Sequence, residues 1–540
     1  MTTVPDLLFV EPRQRLDARA LRQALTFAFA TGGTSESFSK IWERANFGSS
    51  DFDSECFARE LFLADFVARC LTVNVAGQRY QPERAHLHRL LAHPPSDPRV
   101  TEFRHEILRE LSARPEFSLE LGRTASKLRL LVSKLEAPDR GKRYDAIGRR
   151  IDILRGVRES LDELSESFRD ARSGLARIRE FARAERETPE YETLVNLLDH
   201  ENDRATIELR VKVGYDGELR SFQIVRAGEN QENPFYRTRI ARFLTKLTLW
   251  IQGYGFRETE VLGRLTNAAF DGVQDVVIAL FQLLVDMEFY LSSLSLKELA
   301  ESKGLAMCLP ELHRAADART EIENLFNPFL LLEEKPPKTA NLVAGARALV
   351  VITGPNSGGK TRLLQALALT QLLGQAGWFV PARRAVLQMR HGLFVSLSHE
   401  ASSDQREGRL GTELLRIRRM FEQLRFGSLV ILDELCSGTN PSEGEEIFEL
   451  VVSLLAELEP QAFITTHFLQ FASRLEQERP VSRLEFLQVE LDAHENPTYG
   501  FVPGVATTSL AERTAERLGV TREALQELVE RAKRRSRGEP

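Results

Sequence analysis

The sequence is poor in cysteine and tryptophan and carries no excess of positive charge. Its 540 residues include four cysteines and three tryptophans, and the formal net charge at pH 7 is −6. The cysteines are scattered without a Cys-x-x-Cys pair, which argues against a zinc site and against a disulfide framework. Because the balance of charge is acidic, any contact with nucleic acid has to come from local basic patches.

Long apolar runs and a secretory leader are missing as well. No positively charged start followed by an apolar stretch opens the chain, and no uninterrupted apolar run reaches membrane-spanning length. The chain does contain 42% hydrophobic and 28% charged residues, a composition typical of domains with sizeable cores. We therefore expect a cytoplasmic protein of about three or four domains, without a membrane partner.

The most informative stretch is a glycine-rich loop between an apolar strand pattern and an apolar helical pattern. Leu349 to Ile352 form the strand pattern, and leucines recur at helical spacing after the loop. The loop matches G-x-x-x-x-G-K-[ST], the P-loop pattern, with residues Gly354, Pro355, Asn356, Ser357, Gly358, Gly359, Lys360 and Thr361. Lys360 is expected to reach the β- and γ-phosphates and Thr361 to bind Mg²⁺. The chain is predicted to bind a nucleoside triphosphate.

Two acidic residues follow a second apolar strand pattern downstream. Asp433 and Glu434 form a Walker B arrangement, in which Asp433 would hold Mg²⁺ through water and Glu434 would orient the attacking water. A further strand, residues 462–466, ends at His467, which is either a structural histidine or a catalytic switch that contacts the γ-phosphate or the water. A loop of small residues occupies the position where ABC-type subunits face one another: Ser437, Gly438 and Thr439.

The sequence before residue 340 is mainly helical. Apolar residues from Ile147 to Ile178 recur in alternating steps of three and four, which predicts one long helix packed against another. Arginines on its charged face are either solvated or available for phosphate contacts: Arg149, Arg150, Arg155, Arg158, Arg172, Arg177 and Arg179. Two alternating stretches on either side of Asp216-Gly217, at about 206–226, predict an inserted β-hairpin.

Together these motifs resemble the ATPase domain of the MutS mismatch-repair family. The resemblance rests on the P-loop, on residues 432–439 and on residues 465–468, with further landmarks at 378–382 and 500–505. It implies an α/β P-loop domain of the ABC type, with a mainly parallel sheet and flanking helices, joined to a large helical core and lever region that carries the hairpin. It also implies ATP and Mg²⁺ as cofactors, and a homodimer that clasps duplex, mismatched or branched DNA.

On this resemblance the chain divides into four parts. They are a small helical region of unknown role at 1–84, a helical core and lever region at 85–325, the ATPase domain at 326–510, and a helical dimerisation segment with a basic tail at 511–540. The family's N-terminal mismatch-reading domain is not recognisable, so the resemblance implies a short member that lacks it. Downstream repair partners cannot be named from the sequence.

Two segments depart from the family pattern. The signature segment that contacts the partner's nucleotide is usually Ser-x-Phe-x-x-Glu and here corresponds to residues 408–413. Leu410 replaces its aromatic residue, and the candidate trans contacts are Gly408, Arg409 and Glu413. Lys338 or Thr339 stands where the family has an adenine-stacking aromatic, so ATP is expected from the resemblance alone.

The leading hypothesis is an ATP-switched DNA clamp that acts in repair or recombination and lies on the nucleoid when bound to DNA. One alternative is an SMC-like or other ABC-type structural or remodelling ATPase without direct DNA contact. A P-loop metabolic kinase is a third possibility, but paired acids such as Asp433 and Glu434 serve no phosphate acceptor.

Overall fold

The computed structural model of the protein describes most of the chain. The described residues are 4–33, 35–75, 77–138, 143–201, 206–213, 219–228, 258–314, 318–355, 357–397, 408–436, 440–507, 520 and 522–536. The chain divides into two compact units. The helical unit comprises Met1–Gly48, Leu71–Leu90 and Arg99–Ser295, and the sheet unit comprises Ser49–Cys70, Leu91–Pro98 and Leu296–Pro540. The predicted domain boundaries near residues 84 and 325 stay predictions.

The helices of the described residues are numbered in chain order. They are α1 Ala18–Thr31, α2 Ser35–Glu43, α3 Leu63–Cys70, α4 Arg84–Ala92, α5 Pro98–Ala113, α6 Pro115–Glu136, α7 Arg143–Glu166, α8 Ala176–Arg186, α9 Pro189–Glu201, α10 Glu258–Ser302, α11 Lys360–Ala376, α12 Gly408–Gln423, α13 Pro441–Leu458, α14 Leu469–Glu478 and α15 Arg522–Ser536. Short 3₁₀ helices lie at Ser54–Cys56 and Pro328–Leu332.

The strands are numbered in the same way. They are β1 Val73–Val75, β2 Gln78–Tyr80, β3 Thr206–Val213, β4 Leu219–Gly228, β5 Glu311–His313, β6 Thr320–Leu325, β7 Ala340–Ala344, β8 Leu349–Thr353, β9 Arg384–Gln388, β10 Leu393–Ser396, β11 Leu429–Leu432, β12 Gln461–Thr465, β13 Leu484–Leu491 and β14 Pro497–Pro503.

The sheet unit is built on a six-stranded sheet in the order β10-β11-β12-β8-β13-β14. All neighbours in it are parallel except β13 and β14, which are antiparallel. Every residue of β8, β11 and β12 is buried, as expected for parallel strands covered on both faces. A second, mixed sheet has the order β5-β9-β6-β7. The predicted α/β architecture with a mainly parallel sheet is confirmed.

Strand order decides which loops meet at the edge of the six-stranded sheet. β12 lies between β11 and β8, so these three parallel strands deliver their carboxyl ends side by side. The P-loop follows β8, Asp433 follows β11, and His467 lies two residues beyond the end of β12. In open α/β sheets this is the edge where ligands bind.

The predicted long helix from Ile147 to Ile178 is wrong as one continuous element. Helix α7 ends at Glu166 and α8 begins at Ala176, and the two helices pack against each other. In the connection, Phe168 and Asp170 have left-handed backbones, and Glu110 of α5 accepts the N–H groups of Arg172 and Ser173 at 2.9 Å. The apolar stripe does mark the core, but Glu110 binds the backbone of the connection, which does not continue the helix.

The predicted β-hairpin is present in the helical unit. β3 and β4 pair antiparallel from Thr206↔Gly228 to Val213↔Leu219, with two register shifts. The predicted turn at 215–218 lies outside the described residues.

Among the described residues, one helix is long and apolar enough to cross a membrane. It is α10, whose candidate stretch is Gly263–Ser302, and 78% of its most apolar window is buried within the protein. Length and composition do not separate such a helix from the core helix of a large domain.

A polar stripe on α10 holds the N-terminal segment inside the helical unit. Gln282, Asp286 and Tyr290 recur every four residues, so they share one face of the helix. Asp286 accepts from the Leu7 N–H at 3.1 Å, Gln282 accepts from the Arg15 N–H at 2.7 Å, and Tyr290 donates to the Leu7 carbonyl at 2.5 Å. An irregular segment can be buried here because the stripe supplies hydrogen bonds to its backbone.

Candidate functional site

The P-loop joins β8 to α11, as the sequence pattern predicts. β8 ends at Thr353, and α11 begins at Lys360 with Gly359 as its N-cap. The first free N–H groups of α11 therefore face the loop, an arrangement that favours anions. Asn356 is the one predicted loop position outside the described residues.

Two glycines of the loop are required by the backbone and by space. Gly354 has a φ of +139°, and a Cβ there would lie 2.6 Å from Cγ2 of Val489 on β13. Gly359 has a φ of +85°, and a Cβ there would lie 3.0 Å from Cδ1 of Tyr499 on β14. Any larger side chain would both strain the backbone and push the loop away from the sheet.

The Lys360 side chain is buried in the curve of the loop. Its ammonium donates to the carbonyls of Gly354 at 2.7 Å and Pro355 at 3.0 Å. Burial lowers the pKa of Lys360, while the charges of Glu434 and Asp433 act in the opposite direction. The fold has therefore brought the predicted phosphate-binding cation within electrostatic reach of both predicted acids.

A hydrogen bond joins the two predicted Mg²⁺ ligands, Thr361 and Asp433, directly. Oδ2 of Asp433 accepts a hydrogen bond from the Thr361 hydroxyl at 2.5 Å, although the two residues are 72 positions apart. Its Oδ1 accepts from the Thr465 hydroxyl, also at 2.5 Å. The carboxylate is almost completely buried, so its direction is set by these two hydroxyl groups. Thr361 and Asp433 thus converge on one point beside the P-loop.

Glu434 follows in a strained conformation. Its φ is +50°, in the left-handed region, and its N–H donates to the Thr465 hydroxyl at 2.7 Å. Together with Asp433, Glu434 lines a cavity of about 30 Å³, which is large enough for one water. Non-glycine residues with positive φ are uncommon and persist where neighbouring contacts hold them.

The signature segment contributes to the same cavity from within its own chain. Residues 408–413 form the start of α12, and Glu413 lines the cavity with Asp433 and Glu434. Cys436 lines it as well, and burial raises the pKa of this thiol to about 12, with a contribution from Glu413. The side chain of Arg409, and all of Ser437, Gly438 and Thr439, lie outside the described residues.

A second, larger cavity opens beside Gly359. Its volume is about 360 Å³, and its walls include Lys338, Pro337, Tyr499 and Phe501. Lys338, one of the two candidate positions for the family's aromatic, lines this cavity, and β14 brings two aromatic rings to it. Its apolar lining and its place next to the N-terminus of α11 suit a flat, partly apolar group.

Residues 350–535 match the family model described as MutS domain V. The chain carries the ATPase domain of the MutS family. In that domain the P-loop, Asp433, Glu434 and His467 follow neighbouring parallel strands of one mainly parallel sheet.

The matched relatives are longer proteins. The chain is 32% identical over 238 residues to endonuclease MutS2 of Thermus thermophilus, which covers 44% of this chain and 31% of the relative. It is 32% identical over 254 residues to endonuclease MutS2 of Alkaliphilus metalliredigens, covering 46% and 30%. The match therefore spans about a third of the length of these curated relatives. The word endonuclease in their names describes those proteins.

Two features of the MutS ATPase domain are absent from the sequence-based predictions. Thr465 is part of a family landmark in the sequence, yet nothing there indicates that its hydroxyl contacts both Walker B acids. Tyr499 and Phe501 stand more than 135 residues after the P-loop, and only the pairing of β13 with β8 brings them to it. The signal in the sequence that could have found them is their spacing: Tyr499 and Phe501 are two positions apart in a strand, which places both rings on the same face.

The arginines predicted as candidate phosphate contacts are largely engaged inside the helical unit. Arg149 donates to carbonyls in the last turns of α1 and α6, and Arg177 donates to the carbonyls of Asp6 and Phe9. Arg155 pairs with Asp152 at 2.7 Å. The last carbonyls of a helix lack partners within it, so Arg149 acts as a cap for α1 and α6, whereas Arg177 binds backbone carbonyls of the irregular N-terminal segment.

Proposed function

We propose that the chain binds and hydrolyses ATP with Mg²⁺ and uses that cycle to switch a homodimeric clamp on DNA. The observation that carries the proposal is the bond between Thr361 and Asp433, beside the buried ammonium of Lys360 and the carboxylate of Glu434. The fold and the match to MutS domain V support an ATPase, whereas hydrolysis, the dimer and DNA binding are the parts to be tested.

The residues of the loop fit a triphosphate. Gly354 and Gly359 leave room for the backbone to approach phosphate oxygens, the N-terminus of α11 offers partial positive charge, and Lys360 supplies a full charge. Lys360 would exchange its two carbonyl acceptors for phosphate oxygens, which are stronger partners because they are charged.

The pair Thr361 and Asp433 fits a magnesium ion. A hydroxyl and a carboxylate are the hard oxygen ligands that Mg²⁺ takes, and here they already point at each other. Bound there, Mg²⁺ would neutralise charge on the β- and γ-phosphates. Glu434 would orient the attacking water and accept its proton, and His467 would contact the γ-phosphate side of the site.

The 360 Å³ cavity fits the nucleoside part of the same ligand. Tyr499 and Phe501 provide aromatic surfaces for a base, and the cavity borders the glycine that caps α11. A nucleotide whose phosphates lie on the P-loop would extend its base to this side of the loop.

Family membership supports the homodimer and the DNA clamp, and two features of the chain are compatible with them. On α15, Leu525, Leu528 and Val529 form an exposed apolar stripe suited to a second copy. Since the lever arginines are largely engaged in contacts within the helical unit, phosphate contacts would come from other residues. The hairpin strands β3 and β4 carry Arg and Lys in the sequence.

The ATPase part is tested with two substitutions. Lys360→Ala should weaken binding of a fluorescent ATP analogue by about 100-fold, because a charge-assisted contact with phosphate is lost. Glu434→Gln should retain binding but lower kcat by about 100-fold or more, and should trap ATP with a stabilised dimer in light-scattering measurements.

The matched control is Glu446→Gln, which removes the charge of an exposed glutamate on α13. It should hydrolyse ATP at the parent rate. If Glu434→Gln does the same, the proposed role of Glu434 is wrong, and a parent protein that binds no nucleotide overturns the ATPase proposal itself.

The DNA part is tested by gel shifts with homoduplex, mismatched duplex, four-way junction and single-stranded DNA, each with and without ATP. Binding through phosphates should fall steeply, by about 1,000-fold for six contacts, between 50 and 200 mM salt. Active ATP hydrolysis with no binding, or with binding insensitive to salt, would favour an ABC-type remodelling ATPase.

A further inference from the structure

The hydroxyl of Thr465 contacts both residues of the Walker B pair, the carboxylate of Asp433 and the backbone N–H of Glu434. Thr465 is the last residue of β12 and is completely buried, and β12 pairs in parallel with β11 up to Leu432↔Ile464. This register brings Thr465 opposite Asp433, the first residue after β11. The contact is therefore a consequence of strand pairing and does not depend on a flexible loop.

One hydroxyl group serves the two acids in different ways. It donates its only proton to Oδ1 of Asp433 at 2.5 Å, and it accepts the N–H of Glu434 at 2.7 Å. A hydroxyl has one donor and two acceptor positions, so both bonds can exist together. No apolar side chain of the same shape can replace either of them.

Each bond fixes something that hydrolysis needs. The bond to Oδ1 of Asp433 leaves Oδ2 directed at the Thr361 hydroxyl, where the metal would be shared. The bond from the Glu434 N–H holds the backbone of Glu434 in the left-handed conformation, which is unfavourable for a residue other than glycine. It therefore helps to fix the direction of the Glu434 side chain.

We infer that Thr465 is a positioning residue for ATP hydrolysis, which orients the metal-binding carboxylate of Asp433 and the backbone of Glu434 through a single hydroxyl. The inference rests on the proposed function, because it assigns Thr465 a role in the reaction proposed for this site. Since Thr465 precedes Thr466 and His467, the same hydroxyl also ties the strand that carries His467 to the Walker B pair.

The decisive variant is Thr465→Val, which keeps the shape and removes the hydroxyl. We expect kcat to fall about 10- to 100-fold, the usual range for partners of metal ligands, while KM for ATP changes less than about threefold. The Mg²⁺ concentration for half-maximal rate should rise, because Oδ1 of Asp433 loses its fixed partner. A residue that only packs would leave the Mg²⁺ dependence unchanged.

Thr465→Ser keeps the hydroxyl and removes the methyl group, so it should restore most of kcat. Thr370→Val is the matched control, because Thr370 is equally buried and its hydroxyl only donates to the Ala366 carbonyl within α11. It should leave kcat, KM and the Mg²⁺ dependence unchanged. Thermal melting of each variant shows whether it is folded.

Two results would overturn the inference: a Thr465→Val enzyme with parent kcat and Mg²⁺ dependence, or a folded Thr465→Ser enzyme as slow as Thr465→Val. The second would assign the effect to the methyl group. Neither result touches the proposed function, which fails separately if the parent protein hydrolyses no ATP.

Discussion

Each of the two units buries a cluster of charged side chains, and the clusters differ in what surrounds them. In the helical unit, Arg15, Asp6 and Asp286 are fully buried, and their partners belong to the N-terminal segment and α10. In the sheet unit, Asp433 and Glu434 lie at strand ends and border a cavity. The first cluster is closed by the chain itself, whereas the second faces space that a ligand can use.

The difference shows in what each cluster holds in place. Arg15 pairs with Asp286 across 271 positions and lies 3.5 Å from Asp6, so it fastens the N-terminal segment to α10. Burial raises the pKa of Asp286, against the opposing charge of Arg15. Asp433 instead accepts hydrogen bonds from two neutral hydroxyl groups, those of Thr361 and Thr465. A metal ion can replace the hydrogen bond at one of its two carboxylate oxygens. Buried charge therefore stabilises a chain segment in one unit and prepares a site in the other.

The largest expected effect comes from opening the closed cluster. Arg15→Ala should lower the free energy of unfolding by about 3–5 kcal/mol, because it leaves two buried carboxylates without their cation. Urea unfolding followed by circular dichroism measures the change. Arg22→Ala is the control, since Arg22 forms an exposed pair with Asp275 and should cost under about 1 kcal/mol. Equal losses in both variants would contradict a closed, charge-dependent cluster.

A smaller effect should appear on changing the pH. Burial, with a contribution from Arg15, lowers the pKa of His86 to about 3. Below pH 6.5 the unfolded chain binds a proton that folded His86 does not, so stability is present at neutral pH and falls as the pH drops toward 3. The contribution from this residue is about 2 kcal/mol between pH 7 and pH 5.

Urea unfolding at pH 7 and pH 5 tests this expectation. His86→Gln should remove about that part of the pH dependence, whereas the exposed His313→Gln should leave it unchanged. If His86→Gln keeps the parent's pH dependence, His86 does not cause it, and the prediction that burial lowers the pKa of His86 is wrong.

The smallest effect sharpens the other side of the comparison. Tyr499→Ala should weaken ATP binding about five- to tenfold, or about 1 kcal/mol, the lower end of the range for stacking a base on an aromatic ring. Tyr499→Phe keeps the ring and should bind like the parent in titrations with a fluorescent ATP analogue. If Tyr499→Ala binds ATP with the affinity of the parent protein, the proposal that the base binds in the 360 Å³ cavity is wrong.

Local patterns predicted much of the sheet unit correctly. The strand before Gly354, the helix after Lys360 and the strand before Asp433 all exist, because each depends on short-range periodicity and on glycine or acidic residues at fixed spacing. The same kind of pattern failed between Ile147 and Ile178. There the core stripe continues through a turn, and periodicity alone does not report where other helices supply acceptors.

By itself, the sequence determined the P-loop, the paired acids and the resemblance to a MutS ATPase domain, since those depend on residue types at fixed intervals. The tertiary structure alone decided that Thr465 holds both acids, that Tyr499 borders the loop, and that Arg149 and Arg177 cap backbone carbonyls. These contacts join residues that are far apart in the chain or depend on a single strand register. Pairing and packing create them, and no local pattern records them.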